Sequence, residues 1–329
     1  MKTPLYLRLT FATVFAFSIQ AQASVKYQLL VAQDGSADYT SIQDAINDTK
    51  SFPDKQIQIR IKNGIYHEKV NLYAWNPRVA LIGESKDKTI IEFADHFKHI
   101  NKGRNSTFLT ATLEVNADDT LIKNLTIKNN AGPVGQAIAL AVNANRVVVD
   151  NVAIIGNQDS LYVSGEGNLQ LFKNCYVEGT TDFIFGNASA VFDHCHIHAK
   201  SSSYITAAST DDNAPFGLVF LHNKVTLGNG IDQVYLGRPW RPYAQTVWID
   251  SQLPAGIHPE GWHDWSKPQV HHTSFYAEFN NVGAGANTDK RVSWSHQLTG
   301  KQAKKYQLDN LLNQAGYTNW YLRDATFLK

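Results

Sequence analysis

Gln136, Asp159 and Asp182 are separated by 23 residues and again by 23, and Gln158 adjoins Asp159. These residue types form a set that can do chemistry. Two nearby carboxylates in different surroundings can divide the roles of acid and nucleophile. Two glutamine amides can donate hydrogen bonds to an oxyanion as it develops. Arg238, in Leu236-Gly237-Arg238-Pro239-Trp240, would keep a carboxylate such as Asp182 ionised and oriented if it lay beside it. Trp240 and Tyr162 would offer flat apolar faces to a sugar ring. Each residue alone has a plainer reading: Gln and Asp often make structural ladders, an Arg often makes a surface ion pair, and a lone Trp usually sits in a core. The shared interval is what lifts the set above those readings.

An interval of this size brings side chains together only if the chain coils and the coils stack about 5 Å apart. The sequence supports such coils. Short apolar runs rich in Val, Ile, Phe and Leu fall at 57–61, 79–82, 121–127, 138–142, 146–155, 169–177, 190–197, 218–225 and 246–249, with Asn, Gly and Asp between them. Phe172-Lys-Asn174-Cys-Tyr-Val177 matches Phe192-Asp-His194-Cys-His-Ile197 and Phe220-Leu-His222-Asn-Lys-Val225. The polar residue of this pattern recurs at 124, 151, 174, 194 and 222. A weak repeat in the twenties with several short strands is a solenoid signature, and a parallel β-helix fits better than a leucine-rich repeat, whose Leu-Asn consensus is absent. Ile42, Ala45 and Ile46 after Ser41 predict a short capped helix near the start. Leu308, Leu311, Leu312 and Ala315, stopped by Gly316, predict another near the end. Both read as capping or packing helices. Residues 254–292 show no coil pattern and read as loops.

Residues 1–23 read as a signal peptide. Lys2 and Arg8 precede an apolar run at 11–19, and Ala21-Gln22-Ala23 has the small-x-small form of a cleavage site before Ser24. The run is too short to span a bilayer, so no membrane anchor is expected. Residues 24–329 then form one domain, exported to the periplasm or the medium. Loss of Lys2 and Arg8 takes the net charge from +1 to −1, which gives no basic field for nucleic acid. Cys175 and Cys195 are the only cysteines. An even count in an exported chain favours a disulfide, and an offset of about one coil makes it geometrically sensible; two free buried thiols are the alternative. His194, His196 and His198 alternate and so should share a strand face, but three ligands on one strand seldom converge on a metal. Neither Gly-x-Ser-x-Gly nor His-Glu-x-x-His occurs, which disfavours a serine α/β-hydrolase and a zinc protease.

At these residues the sequence resembles the pectin methylesterase (pectinesterase) family. Its short motifs appear in order as Gly64-Ile-Tyr66-His-Glu68, Gln136-Ala-Ile-Ala-Leu140, Gln158-Asp159-Ser-Leu161, Asp182-Phe-Ile-Phe-Gly186 and Leu236-Gly-Arg238-Pro-Trp240. The resemblance runs over about residues 31–265. It implies a right-handed parallel β-helix, an all-β fold that hydrolyses galacturonate methyl esters in pectin, that is, in methyl-esterified homogalacturonan. By the same resemblance Asp182 would be the nucleophile, Gln136 and Gln158 the oxyanion donors, Asp159 the acid and then the base, and Arg238 the anchor of Asp182. Trp240, Tyr162 and Phe185 would line the sugar cleft, with Thr181 a further substrate contact. The paired cysteines of the family match Cys175 and Cys195. No metal and no cofactor is implied, and a monomer is expected. Tyr66 and Glu68 read as structural, because they precede the matched coils. Ser160 replaces a common Thr, Tyr204-Ile-Thr-Ala-Ala208 lacks a common Gln, and Tyr243 falls in a variable loop; these bear on subsites rather than on the reaction. A calcium-dependent pectate lyase on the same scaffold is the nearest rival, but β-elimination has no tetrahedral oxyanion for two glutamines to hold. A non-catalytic polysaccharide-binding solenoid is the other; it would keep Trp240 and Tyr162 but need no acid–nucleophile pair.

Overall fold

The computed structural model describes residues 25–313 and 316–322, so the proposed signal segment lies outside it. Three parallel sheets, one of eleven strands and two of seven, run the length of the molecule. Successive strands pass from one sheet to the next in rotation. The coil Leu169–Lys173, Tyr176–Gly179, Ile184–Gly186 is followed by Ser189–Asp193, His196–Ala199, Tyr204–Ala208, each strand pairing in parallel with its counterpart. The result is a right-handed parallel β-helix, the hand that parallel connections take almost without exception.

The recurring polar residue explains the corners. Asn124, Asn151, Asn174, His194 and His222 all have φ between 53° and 56°, a left-handed conformation that Asn tolerates better than most L-residues. Each bends the chain from the eleven-stranded sheet into its neighbour. Apolar runs that read as single strands are therefore pairs: 121–127 holds Leu121–Lys123 and the start of Thr126–Asn129, split at Asn124. The rungs also bond one another, Asn151 Nδ2 donating to Asn124 Oδ1 at 2.9 Å. Inside the coils, equivalent residues stack. Phe172, Phe192, Phe220 and Trp248 form one buried column with ring centroids 4.8, 4.6 and 4.0 Å apart. Such contacts add about 0.5–1.5 kcal/mol each beyond the area they bury.

The helix Ile42–Asn47 covers the N-terminal end with Ile42, Ala45 and Ile46 buried. Ser41 Oγ accepts from Asp44 N at 3.2 Å, and the Glu68 carboxylate accepts from Ile42 N at 2.8 Å and Gln43 N at 3.1 Å. Glu68 is thus a helix cap, and Tyr66 is buried. The C-terminal helix, Leu308–Leu312, packs rather than caps. Leu298, Leu311, Leu312, Trp320 and Tyr321 lie against outward residues of the eleven-stranded sheet such as Val148, Leu171, Val191, Val219 and Val247. The region expected to be loops holds one more strand of that sheet, Phe275–Phe279. A buried charge hides its pattern: Glu278 pairs with Arg291 Nε at 2.7 Å and Nη2 at 3.1 Å.

Cys175 and Cys195 occupy equivalent positions in adjacent coils, yet both are buried free thiols, and the expected disulfide is not formed. Parallel register places the two thiols against each other. Each thiol also meets a backbone carbonyl, Cys175 that of Val149 and Cys195 that of Phe172, both at 3.4 Å. No helix among the described residues is long and apolar enough to cross a membrane.

Candidate active site

The seven-stranded sheet containing Leu161–Val163 and Ile184–Gly186 carries the chemical residues on its outer face and at its leading corner. Gln136 and Gln158 pair as a parallel bridge, so their side chains start from adjacent coils. Asp159 (φ 64°) and Asp182 (φ 50°) hold the same corner position in adjacent coils, and Asp159 N donates to Thr181 O at 3.2 Å. The approach to Asp182 needs glycine: a Cβ at Gly179 would lie 2.1 Å from Phe183 Cβ. Ser160 is buried and its hydroxyl bonds the carbonyls of Asn157 at 3.0 Å and Glu178 at 2.9 Å, fixing the corner beside Asp159.

Arg238 stands on the outer face in register with Ala207, Phe185 and Tyr162. It grips Asp182 with both forks, Nε to Oδ1 at 2.9 Å and Nη2 to Oδ2 at 2.6 Å. Its guanidinium is itself held between two rings, 3.8 Å from the Tyr204 centroid and 3.6 Å from that of Trp265. Such a planar, bidentate and stacked arrangement fixes an arginine in a way that lysine could not reproduce.

The two carboxyls are buried to 8% exposure at Asp159 and 6% at Asp182. Burial pushes the Asp159 carboxyl well above the ordinary range, the nearby Asp182 charge adds to this, and Arg238 opposes it. Burial also raises Asp182, but the hydrogen bonds and charge of Arg238 hold that rise back. Of the two, Asp159 is the one whose surroundings favour the protonated form, and Arg238 favours the charged form of Asp182.

Both carboxyls open into a cleft of about 290 Å³ that also meets Gln136, Gln158, Phe185, Arg238 and Trp240. Four aromatic rings run along it: Phe108 lies 5.1 Å from Tyr162, Tyr162 4.8 Å from Phe185, and Phe185 5.9 Å from Trp240. Beyond Tyr162 and Trp240 the groove continues past Asn187, Asp211, Arg241 and Tyr243. Thr181 is not among the residues that line this cleft. Its hydroxyl pairs with Ser203 Oγ at 2.9 Å, and its carbonyl positions Asp159.

The chain matches the family model for pectinesterase over residues 28–315. The chain belongs to the pectinesterase family. It is 38% identical over 311 residues to the putative pectinesterase/pectinesterase inhibitor 38 of Arabidopsis thaliana, covering 89% of this chain and 64% of that one. Pectinesterase 1 of Citrus sinensis is 36% identical, with 83% and 48% covered. The chain thus spans about half to two thirds of the length of these relatives. Among solved structures, the pectin methylesterase from carrot superposes with a TM-score of 0.80 at 32% identity, covering 86% of this chain and 92% of that one. A pectin methylesterase in complex with a hexasaccharide superposes at 0.76 with 26% identity, 88% and 98% being covered.

Several cleft residues of this pectinesterase-family chain carry no signal in the repeat. Arg104, Thr107 and Phe108 come from the excursion between Thr89–Phe93 and Leu113–Val115. Lys69 Nζ ties that loop down through Asp95 Oδ2 at 2.7 Å and Leu109 O at 2.6 Å. Trp265 lines the cleft, whereas its neighbour Trp262 is fully buried against Tyr276. His196 and His198 share a face, bonding Thr226 Oγ1 at 2.7 and 2.8 Å. His194 does not join them: its left-handed corner turns it toward His222, the ring centroids 4.7 Å apart.

Proposed function

We propose that this protein is a pectin methylesterase that hydrolyses the methyl esters of galacturonate units in homogalacturonan, giving pectate and methanol. The observation that carries the reading is Asp182 in a bidentate grip from Arg238 beside the buried Asp159, in a cleft shared with two glutamines. An Asp182 oxygen attacks the ester carbonyl. The amides of Gln136 and Gln158 stabilise the resulting oxyanion. Collapse expels the methoxy group, which takes the Asp159 proton and leaves as methanol. The acyl group now rests on Asp182. Asp159, newly a carboxylate, removes a proton from water, which attacks the acyl carbon and frees Asp182. The aromatic row and the groove beyond it give successive sugar rings a place to stack. The family relationship supports the substrate class, and one structural neighbour is a pectin methylesterase in complex with a hexasaccharide.

The same reading takes residues 1–23 as a signal peptide and the remainder as one catalytic domain exported as a monomer. A continuous core from Leu29 to Tyr276 supports the single domain.

A paired assay on highly methylated pectin tests the activity: methanol release alongside ultraviolet absorbance of unsaturated product, with and without chelator. Methanol without unsaturation, unaffected by chelator, is the expected result. Unsaturated product that vanishes with chelator would instead make the protein a calcium-dependent lyase.

A further inference from the structure

Outside the cleft, the corner ladder changes character at two successive rungs. Asn occupies it at 124, 151 and 174, and His at 194 and 222. Behind the histidines lies Asp193, the last residue of Ser189–Asp193. Its Oδ1 stands 2.9 Å from His194 Nδ1 and 3.0 Å from His222 Nδ1. We propose that Asp193, His194 and His222 form a binding site for a zinc-class divalent transition-metal ion, bridging two coils on an edge of the β-helix away from the catalytic cleft.

Three features carry this. The donor set, two imidazoles and one carboxylate, suits zinc and its neighbours rather than calcium or magnesium, which prefer all-oxygen shells. The three ligand atoms already lie within 4.8 Å of one another. In a tetrahedral zinc site such atoms lie about 3.4 Å apart, so small side-chain rotations would open the two short contacts enough to admit an ion. The third feature is Asp250, whose Oδ2 is 4.0 Å from His222 Nε2. A metal on Nδ1 would keep the imidazole proton on Nε2, facing that carboxylate. A carboxylate behind a ligating histidine orients the ring and raises its basicity. Asp193 is largely buried while the two rings are about half exposed or more, so an ion can enter from solvent and complete its shell with water. Among the described residues the ion-pair partners of Asp193 are the two imidazoles.

The bound ion would add a side-chain tie between adjacent coils to backbone bonds such as His194 N to Leu221 O at 3.0 Å. It would act on stability and not on ester hydrolysis, since the cluster sits at a different corner of the coil from Asp159 and Asp182. The test is calorimetric titration of the chelator-stripped protein with Zn²⁺, with Ca²⁺ as control, on the wild type and the double variant His194→Asn/His222→Asn. Asn is the residue the ladder carries at 151 and 174, so the variant keeps the corner geometry. One Zn²⁺ per chain is expected, with no calcium heat and a zinc-dependent rise in Tm. Both zinc effects should vanish in the double variant, with methanol release the same for both proteins. Asp193→Asn, measured alongside, should weaken zinc binding by about tenfold or more. Absence of zinc binding, or binding that survives the double substitution, would overturn the proposal.

Discussion

Two corners of the same coils use one backbone device for opposite ends. At the corner leaving the eleven-stranded sheet, left-handed Asn residues stack in register, and Asn151 donates directly to Asn124. At the corner entering the cleft, left-handed Asp159 and Asp182 stack in the same way. Amides carry a donor and an acceptor, so a column of them satisfies itself. A column of carboxylates has no donors and repels itself in a buried setting. Arg238 answers one of the pair with two hydrogen bonds, and burial pushes the carboxyl of the other upward. Stacking like groups thus gives stability where they are amides and a split acid–anion pair where they are acids.

Converting one rung of the acidic column into an amide is the strongest way to break this contrast. Asp182→Asn retains a residue that accepts positive φ and an oxygen that can still accept from Arg238, so the fold should hold, at a lower Tm. Methanol release should fall by about 10⁴-fold or more, as expected for a lost nucleophile. A variant that keeps most of its turnover would remove Asp182 from the chemistry. Next in size are the glutamines. Gln136→Ala and Gln158→Ala should each lower kcat by about 10²–10³-fold, the usual scale for one oxyanion donor, with KM little changed. A change confined to KM would reassign them to substrate binding.

Asp159→Asn sharpens the comparison through pH. In the wild type the folded-state pKa of Asp159 is raised by burial and by Asp182. The folded protein therefore holds this proton more tightly than the unfolded chain does. The stability so contributed is present in full below the ordinary carboxylate range, and it is lost as pH rises through the raised value. The Asn variant does not titrate there. Its Tm relative to wild type should climb as pH rises from acid to alkaline, while its turnover is low throughout. In the wild type kcat should fall on the alkaline side as the acid loses its proton. A Tm difference that is flat with pH would mean Asp159 is ionised in the folded protein.

Much of this arrangement is legible in the sequence because a solenoid turns sequence interval into distance. The 23-residue spacing brings Asp159 and Asp182 to one corner, and the polar residue at 124, 151, 174, 194 and 222 marks the other. What the interval cannot reveal is anything that leaves the stack. Phe108 and Arg104 arrive on an excursion, and Trp265 crosses from a distant loop to sandwich Arg238. The strand Phe275–Phe279 escapes notice because Glu278 interrupts its apolar pattern, and the partner that makes this tolerable, Arg291, lies further along the chain. His194 looks like part of an alternating strand until its positive φ rotates it out. The interval also brings Cys175 and Cys195 together, as two free thiols.

The smallest expected effect lies on the amide column and separates its two sources of stability. Asn151 contributes both a left-handed φ of 54° and a hydrogen bond to Asn124. Asn151→Gly removes the hydrogen bond but tolerates the backbone, and should cost about 1 kcal/mol. Asn151→Ala removes the bond and adds the strain of a Cβ in that conformation, about 1–2 kcal/mol more. Both losses are measurable as denaturant midpoints, and methanol release per folded molecule should be unchanged, since this corner is not the one that opens into the cleft. Equal losses for Gly and Ala would mean that the amide bond, rather than the backbone preference, selects Asn at this rung. A loss for Ala alone would assign the column to conformation and leave its hydrogen bonds incidental.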